Sequence, residues 1–393
     1  MSTLKTLNGN QTIAEAVRQV DPDVLAAYPI TPSTAIVETI AKFKADGLIS
    51  GEFVCPESEH SAMSVCIGSA SAGGRVMTAT ASQGLALMWE MLYIAAGLRL
   101  PIVAAIVNRS LSAPINIHGD HSDTMGARDS GWIQIYSENS QEAYDNFIQA
   151  FRIAEHLDVR TPVLVGLDGF IISHSMEVIQ VEDDEEIKKF VGEYQPVYPL
   201  LDTSRKMTVG PIDFTDYYFE HKRSQIEGIE NAPPVIEEVG KEFGKKFGRE
   251  YSFFEEYRMD DAEMCIIIMS SAAGTCKDAI DEMRSKGKKI GLLKPRVFRP
   301  FPHQKIAETL KEMKAIAVLD RSSSPGAFGA PLFTEIRSAL YDYDERPKIV
   351  NYVYGLGGRD IMVEHFEEVA LKLEKIAETG KVEEQFGYIN LRE

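Results

Sequence analysis

PIVAAIVNR, residues 101–109, is an unbroken apolar run of strand length that ends on an amide and a guanidinium. A strand with no polar alternation has both faces covered, which is the situation of a strand inside a parallel sheet. RVMTATA at 75–81 and PVLVGLD at 162–168 have the same texture. Between and before them lie shorter strand signals at 23–29 and at Phe53-Val54, with helical patterns over 33–46, from about Ser58, and over 84–98. Asn139-Ser-Gln-Glu142 has the spacing of a capping box opening a helix that runs to about His156. This alternation predicts a doubly wound α/β domain.

Farther along, residues 181–257 turn charged, aromatic and irregular, with an acidic run Glu182-Asp-Asp-Glu-Glu186 and a helical stretch near 219–247. A second alternation then opens with MCIIIMSSAAG at 264–274. It continues through a helix at 275–286, a strand at 290–297, a helix at 302–313 and a strand at 315–320, and closes with a helix, a strand and a helix. The division expected is 1–256 for the first domain, with a connector from about 181, and 257–393 for a smaller parallel α/β domain. The tail beyond Gly380 reads as a surface extension.

A chain of 393 residues with 44% apolar content exceeds what one core organises. A formal net charge of −18 argues against nucleic-acid binding, and no local basic patch offsets it. The first residues are polar, and no apolar run reaches the roughly 18 residues of a membrane span, so a cytoplasmic protein without membrane association is expected. The four cysteines, at 55, 66, 265 and 276, have no CxxC spacing and read as buried thiols in a reducing compartment.

Ligands of open parallel sheets bind beyond the carboxyl ends of the strands, which selects three segments. In Tyr28-Pro-Ile-Thr31-Pro32-Ser33, Thr31 is placed to cap a helix with Pro32 in its first turn; the same geometry could hold an anion such as a substrate carboxylate. In Pro56-Glu57-Ser58-Glu59-His60, either glutamate taken alone reads as complementing the helix dipole. Asn108-Arg109 offers a planar fork for a carboxylate, although such an arginine more often pairs with a protein acid. The following His118-Gly-Asp120-His121-Ser-Asp123 cluster could ligate a divalent ion, but a loop held by hydrogen bonds is the favoured reading and no metal site is assigned. No GxxxxGK[ST] or GxSxG motif occurs, and Gly355-Leu-Gly357-Gly358 lacks the spacing of a dinucleotide-binding turn.

Taken together, YPITPST (28–34), ESEHSAMS (57–64), ATASQGLALMWE (79–90), VNRSLSAPINIHGDHSD (107–123) and DSGWIQ (129–134) resemble the α chain of pyruvate:ferredoxin oxidoreductases, in the 2-oxoacid:ferredoxin oxidoreductase family. LDGFIISH (167–174), GPIDFTDYYFEHKR (210–223), FRPFP (298–302) and YVYGLGGRDI (352–361) extend the resemblance over nearly the whole chain. It implies a thiamine-diphosphate enzyme that oxidatively decarboxylates pyruvate with CoA to acetyl-CoA and reduces ferredoxin. The first domain would be of the pyrimidine-binding type and the second similar to the transketolase C-terminal domain. Carried over by position, Glu59 would hydrogen-bond N1′ of the aminopyrimidine, Thr31 the substrate, and Arg109 the substrate carboxylate. The GDG…Asn motif that binds magnesium diphosphate in this class is missing, as is any cysteine cluster. The resemblance therefore assigns Mg2+, diphosphate and [4Fe-4S] clusters to partner chains of β, γ and δ type. It also implies a site split between subunits, with the complex a dimer of heteromers. Rival readings are a related enzyme for branched-chain 2-oxoacids, 2-oxoglutarate or oxalate, a non-catalytic scaffold subunit, and a transketolase-like or lipoate-linked dehydrogenase partner.

Overall fold

The computed structural model describes residues 2–392. Fifteen strands fall into three sheets. In the first half these are β1 (Thr3–Asn8), β2 (Val24–Ala26), β3 (Glu52–Val54), β4 (Val76–Thr80), β5 (Ile102–Asn108), β6 (Ile133–Tyr136), β7 (Val163–Asp168) and β8 (Met176–Val181). The second half supplies β9 (Phe254–Tyr257), β10 (Met264–Ile268), β11 (Ile290–Pro295), β12 (Val297–Arg299), β13 (Ala315–Asp320), β14 (Lys348–Val353) and β15 (Phe386–Tyr388).

The main sheet runs β12-β6-β7-β5-β4-β2-β3 and is parallel except for β12. β5, the strand within PIVAAIVNR, lies inside it and is covered on both faces, as its sequence demands. Val103, Ala105 and Val107 enter one core while Ile102, Ala104 and Ile106 enter another on the opposite face. A second sheet, β15-β14-β13-β10-β11-β9, is parallel except for β9 and is likewise packed on both faces. Both halves are therefore open α/β layers.

Several elements depart from the sequence reading. An N-terminal strand and helix not foreseen are present: β1 pairs antiparallel with β8, and the helix Gly9–Val20 packs into the first core. The helix expected over 84–98 is two, Ser82–Leu87 and Trp89–Gly97, separated at Met88. The stretch 219–247 is also two helices, Tyr218–Glu230 and Ala232–Phe247, because Pro233 and Pro234 lack the N–H groups needed to continue the first but fit the opening turn of the second. At Asn139 the cap forms, its side chain accepting the Glu142 N–H at 2.9 Å, but Glu142 accepts from the Glu138 N–H instead of completing the reciprocal bond.

The strand expected over 290–297 is cut at Arg296 into β11 of the second sheet and β12 of the first. Arg296 is buried, and Asn146 and Gln149 of the first domain take its guanidinium at 2.7 and 3.2 Å, so the chain crosses between layers there. β9, which straddles positions 256 and 257, pairs with the second sheet. Beyond Gly380 the chain is not mere surface, since β15 extends the second sheet. Cys66, Cys265 and Cys276 are buried, and burial pushes the Cys66 thiol up to about 12; Cys55 is exposed, contrary to expectation. Among the described residues no helix is long and apolar enough to cross a membrane.

Candidate active site

From β2 the chain passes to β3 on one side and then to β4 on the other, so the order of the main sheet reverses between β2 and β4. Helices on opposite faces part at such a point and leave a crevice at the carboxyl ends of the strands. Thr31 follows β2, Glu59 follows β3, Ser82 follows β4 and Arg109 follows β5.

Ser58 caps the helix Glu59–Ala72, its hydroxyl accepting the Ser61 N–H at 3.2 Å. That cap fixes Glu59 as the first helical residue. The two glutamates of this segment separate cleanly: Glu57 is on the surface with the Ser61 hydroxyl, whereas Glu59 is 6% exposed and has no hydrogen-bond or ion-pair partner among the described residues. A residue that merely complemented the helix dipole would stay hydrated, because an unpartnered buried carboxylate is costly. Beside it, Thr80 is fully buried and its hydroxyl is also unpartnered.

Gly84 makes the room for this arrangement. A Cβ at position 84 would lie 2.4 Å from the Thr80 hydroxyl and 2.7 Å from Oε1 of Glu59. Gly84→Ala is therefore expected to displace the Glu59 carboxylate and cut activity at least about tenfold, with a stability change of about 1–3 kcal/mol from overpacking. Steady-state kinetics alongside thermal denaturation separates these effects; unaltered kcat in the Gly84→Ala variant would show that Glu59 keeps its position.

Arg109 is 6% exposed, and two backbone carbonyls hold its guanidinium, that of Asn116 on Nε at 3.0 Å and that of Thr31 on Nη1 at 2.9 Å. Nη2 remains without a protein partner, and no carboxylate pairs with this arginine among the described residues. Two of the three sequence-selected residues are thus in direct contact. Thr31, however, is not the helix cap. The helix begins at Thr34 with Ser33 ahead of it, so the Thr31 side chain is exposed and its hydroxyl makes no hydrogen bond to a described residue.

Asp123, from the polar loop, joins the two sides of the crevice. Its Oδ2 accepts the backbone N–H groups of Ser82 at 3.0 Å and Arg109 at 2.9 Å; Oδ1 accepts from the Asn108 amide at 2.9 Å and the Thr124 N–H at 2.7 Å. Burial pushes its pKa up to about 6, against the opposing pull of those donors. Asp120 takes the Ser122 N–H and, across the domain junction, the Gly357 N–H at 3.1 Å. Gly357 and Gly358 have positive φ and press against Asn116 and His118, which accounts for the glycine-rich turn. The loop is held by hydrogen bonds, and among the described residues none of its acids and histidines groups with others in a metal-binding arrangement.

The same loop is locked from below. His121 Nε2 lies 2.7 Å from Asp168, the last residue of β7, and Asp168 also receives Arg321 of the second domain at 2.8 Å and the N–H and hydroxyl of Ser271. Burial alone would raise the Asp168 pKa, but the Arg321 and His121 charges outweigh it and hold the carboxyl far below its usual range. Thr80, Gly84 and the Asp168–Arg321 pair were not selected from sequence; Asp123 was singled out only as part of the polar loop, with no part in the crevice assigned to it. Asp168 did carry a signal, since it ends the apolar run PVLVGLD as Asn108 ends PIVAAIVN; the others depend on contacts between distant segments.

The family model described as "Pyruvate flavodoxin/ferredoxin oxidoreductase, thiamine diP-bdg" matches residues 15–241, more than half of the chain. The chain belongs to this family. Thr31, Glu59 and Arg109 all fall within the match. A second model, the core domain II of pyruvate:ferredoxin oxidoreductase, covers residues 262–366. Among curated relatives, the pyruvate synthase subunit PorA of Thermotoga maritima is 53% identical, with 98% of each chain covered. Its namesake from Methanocaldococcus jannaschii is 47% identical over 95% of this chain and 96% of that one. A ketoisovalerate oxidoreductase subunit VorA from Pyrococcus abyssi follows at 42%, covering 99% and 98%. The fold is shared with a 2-oxoglutarate:ferredoxin oxidoreductase from Magnetococcus marinus solved with 2-oxoglutarate, coenzyme A and succinyl-CoA bound, at TM-score 0.73 and 18% identity. That likeness covers 95% of this chain, which spans 65% of the other.

Proposed function

We propose that this chain is the α subunit of a pyruvate:ferredoxin oxidoreductase, which converts pyruvate and CoA to acetyl-CoA and CO2 and passes the electrons to ferredoxin. The observation that carries the reading is the Glu59 carboxylate, buried without a protein partner at the switch-point crevice. Family membership and the PorA relatives, ahead of the VorA relatives in identity, favour pyruvate over a branched-chain 2-oxoacid.

The residues present fit the aminopyrimidine of thiamine diphosphate: an unpartnered acid, an unpartnered buried hydroxyl at Thr80, and a glycine where a side chain would fill the space between them. Glu59 would hold a proton against the ring nitrogen and exchange it there. When bound, the cofactor supplies the nucleophilic carbon for the 2-oxo group and takes up the electron pair released with CO2. Arg109 would receive the substrate carboxylate on its unspent Nη2, and the Thr31 hydroxyl, carried on the carbonyl-anchored turn, would orient the carbonyl oxygen. The cofactor is shared with a β-type subunit in this reading, with Mg2+ and [4Fe-4S] clusters on β, γ and δ-type partners, in a cytoplasmic dimer of heteromers.

Arg109→Lys tests the carboxylate role. A lysine ammonium cannot reproduce the fixed fork that serves two carbonyls and a ligand at once. The expected outcome is a rise of roughly 10–100-fold in KM for pyruvate, with kcat changed less. The assignment as a whole is tested by assembling the chain with its partner subunits and following CoA-dependent reduction of a viologen dye. Pyruvate should be the preferred substrate; preference for 3-methyl-2-oxobutanoate or 2-oxoglutarate would move the chain to a sister activity, and no thiamine-dependent activity with any of them would overturn the reading.

A further inference from the structure

At the other end of the main sheet, where β4, β5 and β7 begin, lies a separate cavity of about 220 Å3. Ser71, Arg99 and Arg160 line it from the domain, and Tyr194, Tyr198 and Met207 line it from the connector. None of the residues of the proposed catalytic site borders it.

Two polar groups here lack the partners that burial ordinarily requires, and a third, half-buried, is free of hydrogen bonds to the described residues. Ser71 is 6% exposed with its hydroxyl unpartnered, and Nε of Arg99 is buried and unpartnered. The Arg160 guanidinium donates no hydrogen bond to any described residue and lies over the Tyr198 ring at 5.8 Å. The acid bordering the cavity, Glu155, is already committed to Arg75 through two bonds of 2.7 and 2.8 Å. Arg99 does donate through Nη2 to the carbonyls of Asp158 and Val159, at 3.3 and 2.9 Å. Those bonds brace the turn carrying Arg160. Burial, and then the nearby Arg160 charge, lower the Arg99 pKa, against the opposing pull of Glu227.

Arg99 sits in the left-handed region, with φ of 54°, because it closes the helix Trp89–Gly97: its N–H reaches the Ala96 carbonyl at 3.0 Å and that of Leu100 the Ala95 carbonyl at 3.1 Å. The turn after the helix Ser140–Glu155 carries Arg160. These two turns bring to one cavity two arginines that no carboxylate pairs among the described residues, a composition suited to an anion.

We propose that this cavity binds a small organic anion, its carboxylate or phosphate group held by Arg160, Arg99 and the Ser71 hydroxyl and its apolar body set against Tyr194 and Tyr198. The ligand would tie the connector to the amino-terminal edge of the sheet, at a distance from the catalytic crevice, which is the placement of an effector site.

The test is calorimetric titration of the full chain with inorganic phosphate, phenyl phosphate and benzoate, at constant ionic strength with chloride as the balancing anion. Saturable binding of one equivalent is expected. Affinity should fall at least about tenfold in Arg160→Gln, recover in part in Arg160→Lys, fall in Ser71→Ala, and be unchanged in Arg109→Gln. Saturation by the phosphates alone identifies a phosphate ligand, and by benzoate alone a carboxylate; either supports the site. If Arg160→Gln fails to fold, Ser71→Ala decides, since its hydroxyl has no protein partner to lose. No saturable binding of any probe, undiminished binding in both the Arg160 and Ser71 variants, or binding lost only with Arg109 overturns the proposal.

Discussion

Replacing Glu59 by glutamine is expected to lower kcat of the assembled complex by roughly 10²–10⁴-fold, the range for loss of a positioned proton-transfer group. Protein stability should not fall with it. Glu59 makes no ion pair and accepts no hydrogen bond from a described residue, so the amide removes a buried unpartnered charge and breaks no existing contact. The expected pair of results is therefore a nearly inactive enzyme whose melting temperature equals or exceeds that of the wild type. Such opposition of stability and activity belongs to functional sites, because a group kept for structure alone would lose both together. Glutamine still offers a hydrogen bond to a ring nitrogen but cannot exchange a proton there, so thiamine diphosphate should bind with modestly altered affinity. Kinetics, calorimetry of cofactor binding and thermal denaturation on the same preparation check all three expectations. Activity equal to wild type would remove Glu59 from the mechanism.

Arg321→Met should have the largest effect on stability, about 3–5 kcal/mol, as expected when one member of a buried ion pair is removed. Asp168 and Arg321 are 0% and 3% exposed and join the last residue of β7 to the residue after β13, linking the two sheets. Methionine fills similar volume, so the loss comes mainly from the charge stranded on Asp168, which keeps His121 and Ser271 but loses its permanent cation. The consequence is pH-dependent, with a definite sign. A carboxyl whose folded pKa is depressed contributes stability that is complete above its unfolded value, about 3.9, and is lost as pH falls through the acid range. Asp320, next to Arg321, has the opposite slope: burial pushes its pKa up to about 7, so its contribution declines as pH rises from the ordinary carboxylate range to that value. The difference between wild type and Arg321→Met isolates the first effect. Urea midpoints should differ most near neutrality and converge on acidification below about pH 4; a constant difference across that range would show that the Asp168 pairing is not what the arginine supplies.

The reading from sequence succeeded where the signal is local. The apolar runs at 102–107 and 163–167 need no partner in view to be read as strands covered on both faces, and Asn139 caps its helix from three residues away. It failed where one residue decides between two continuations. In IGLLKPRV at 290–297 Pro295 is a local sign that a strand ends, but nothing local says that the residues after it join another sheet; there the buried Asn146 and Gln149 take the Arg296 guanidinium. The tail strand β15 is three residues long and exists because the edge of β14 is open to it.

The candidate site divides in the same manner. Glu59, Arg109 and Thr31 were legible because residues just beyond parallel strands are the ones that can meet a ligand, and because their motifs resemble a family. Sequence could not tell Glu57 from Glu59 by physics alone, since both sit in the first turn of a helix or beside it and both suit its dipole. Only tertiary packing made that distinction: the helix carrying Gly84 closes over most of Glu59, while Glu57 faces out. By itself the sequence determined the α/β class and the family resemblance, and it pointed to the carboxyl ends of the strands for the candidate site. The folded chain decided which acid is buried, which arginine is left without a carboxylate, and how Asp123 and Asp168 fasten one loop to both domains. Those outcomes depend on desolvation and on contacts between segments far apart in the chain, and no local pattern of residues encodes either.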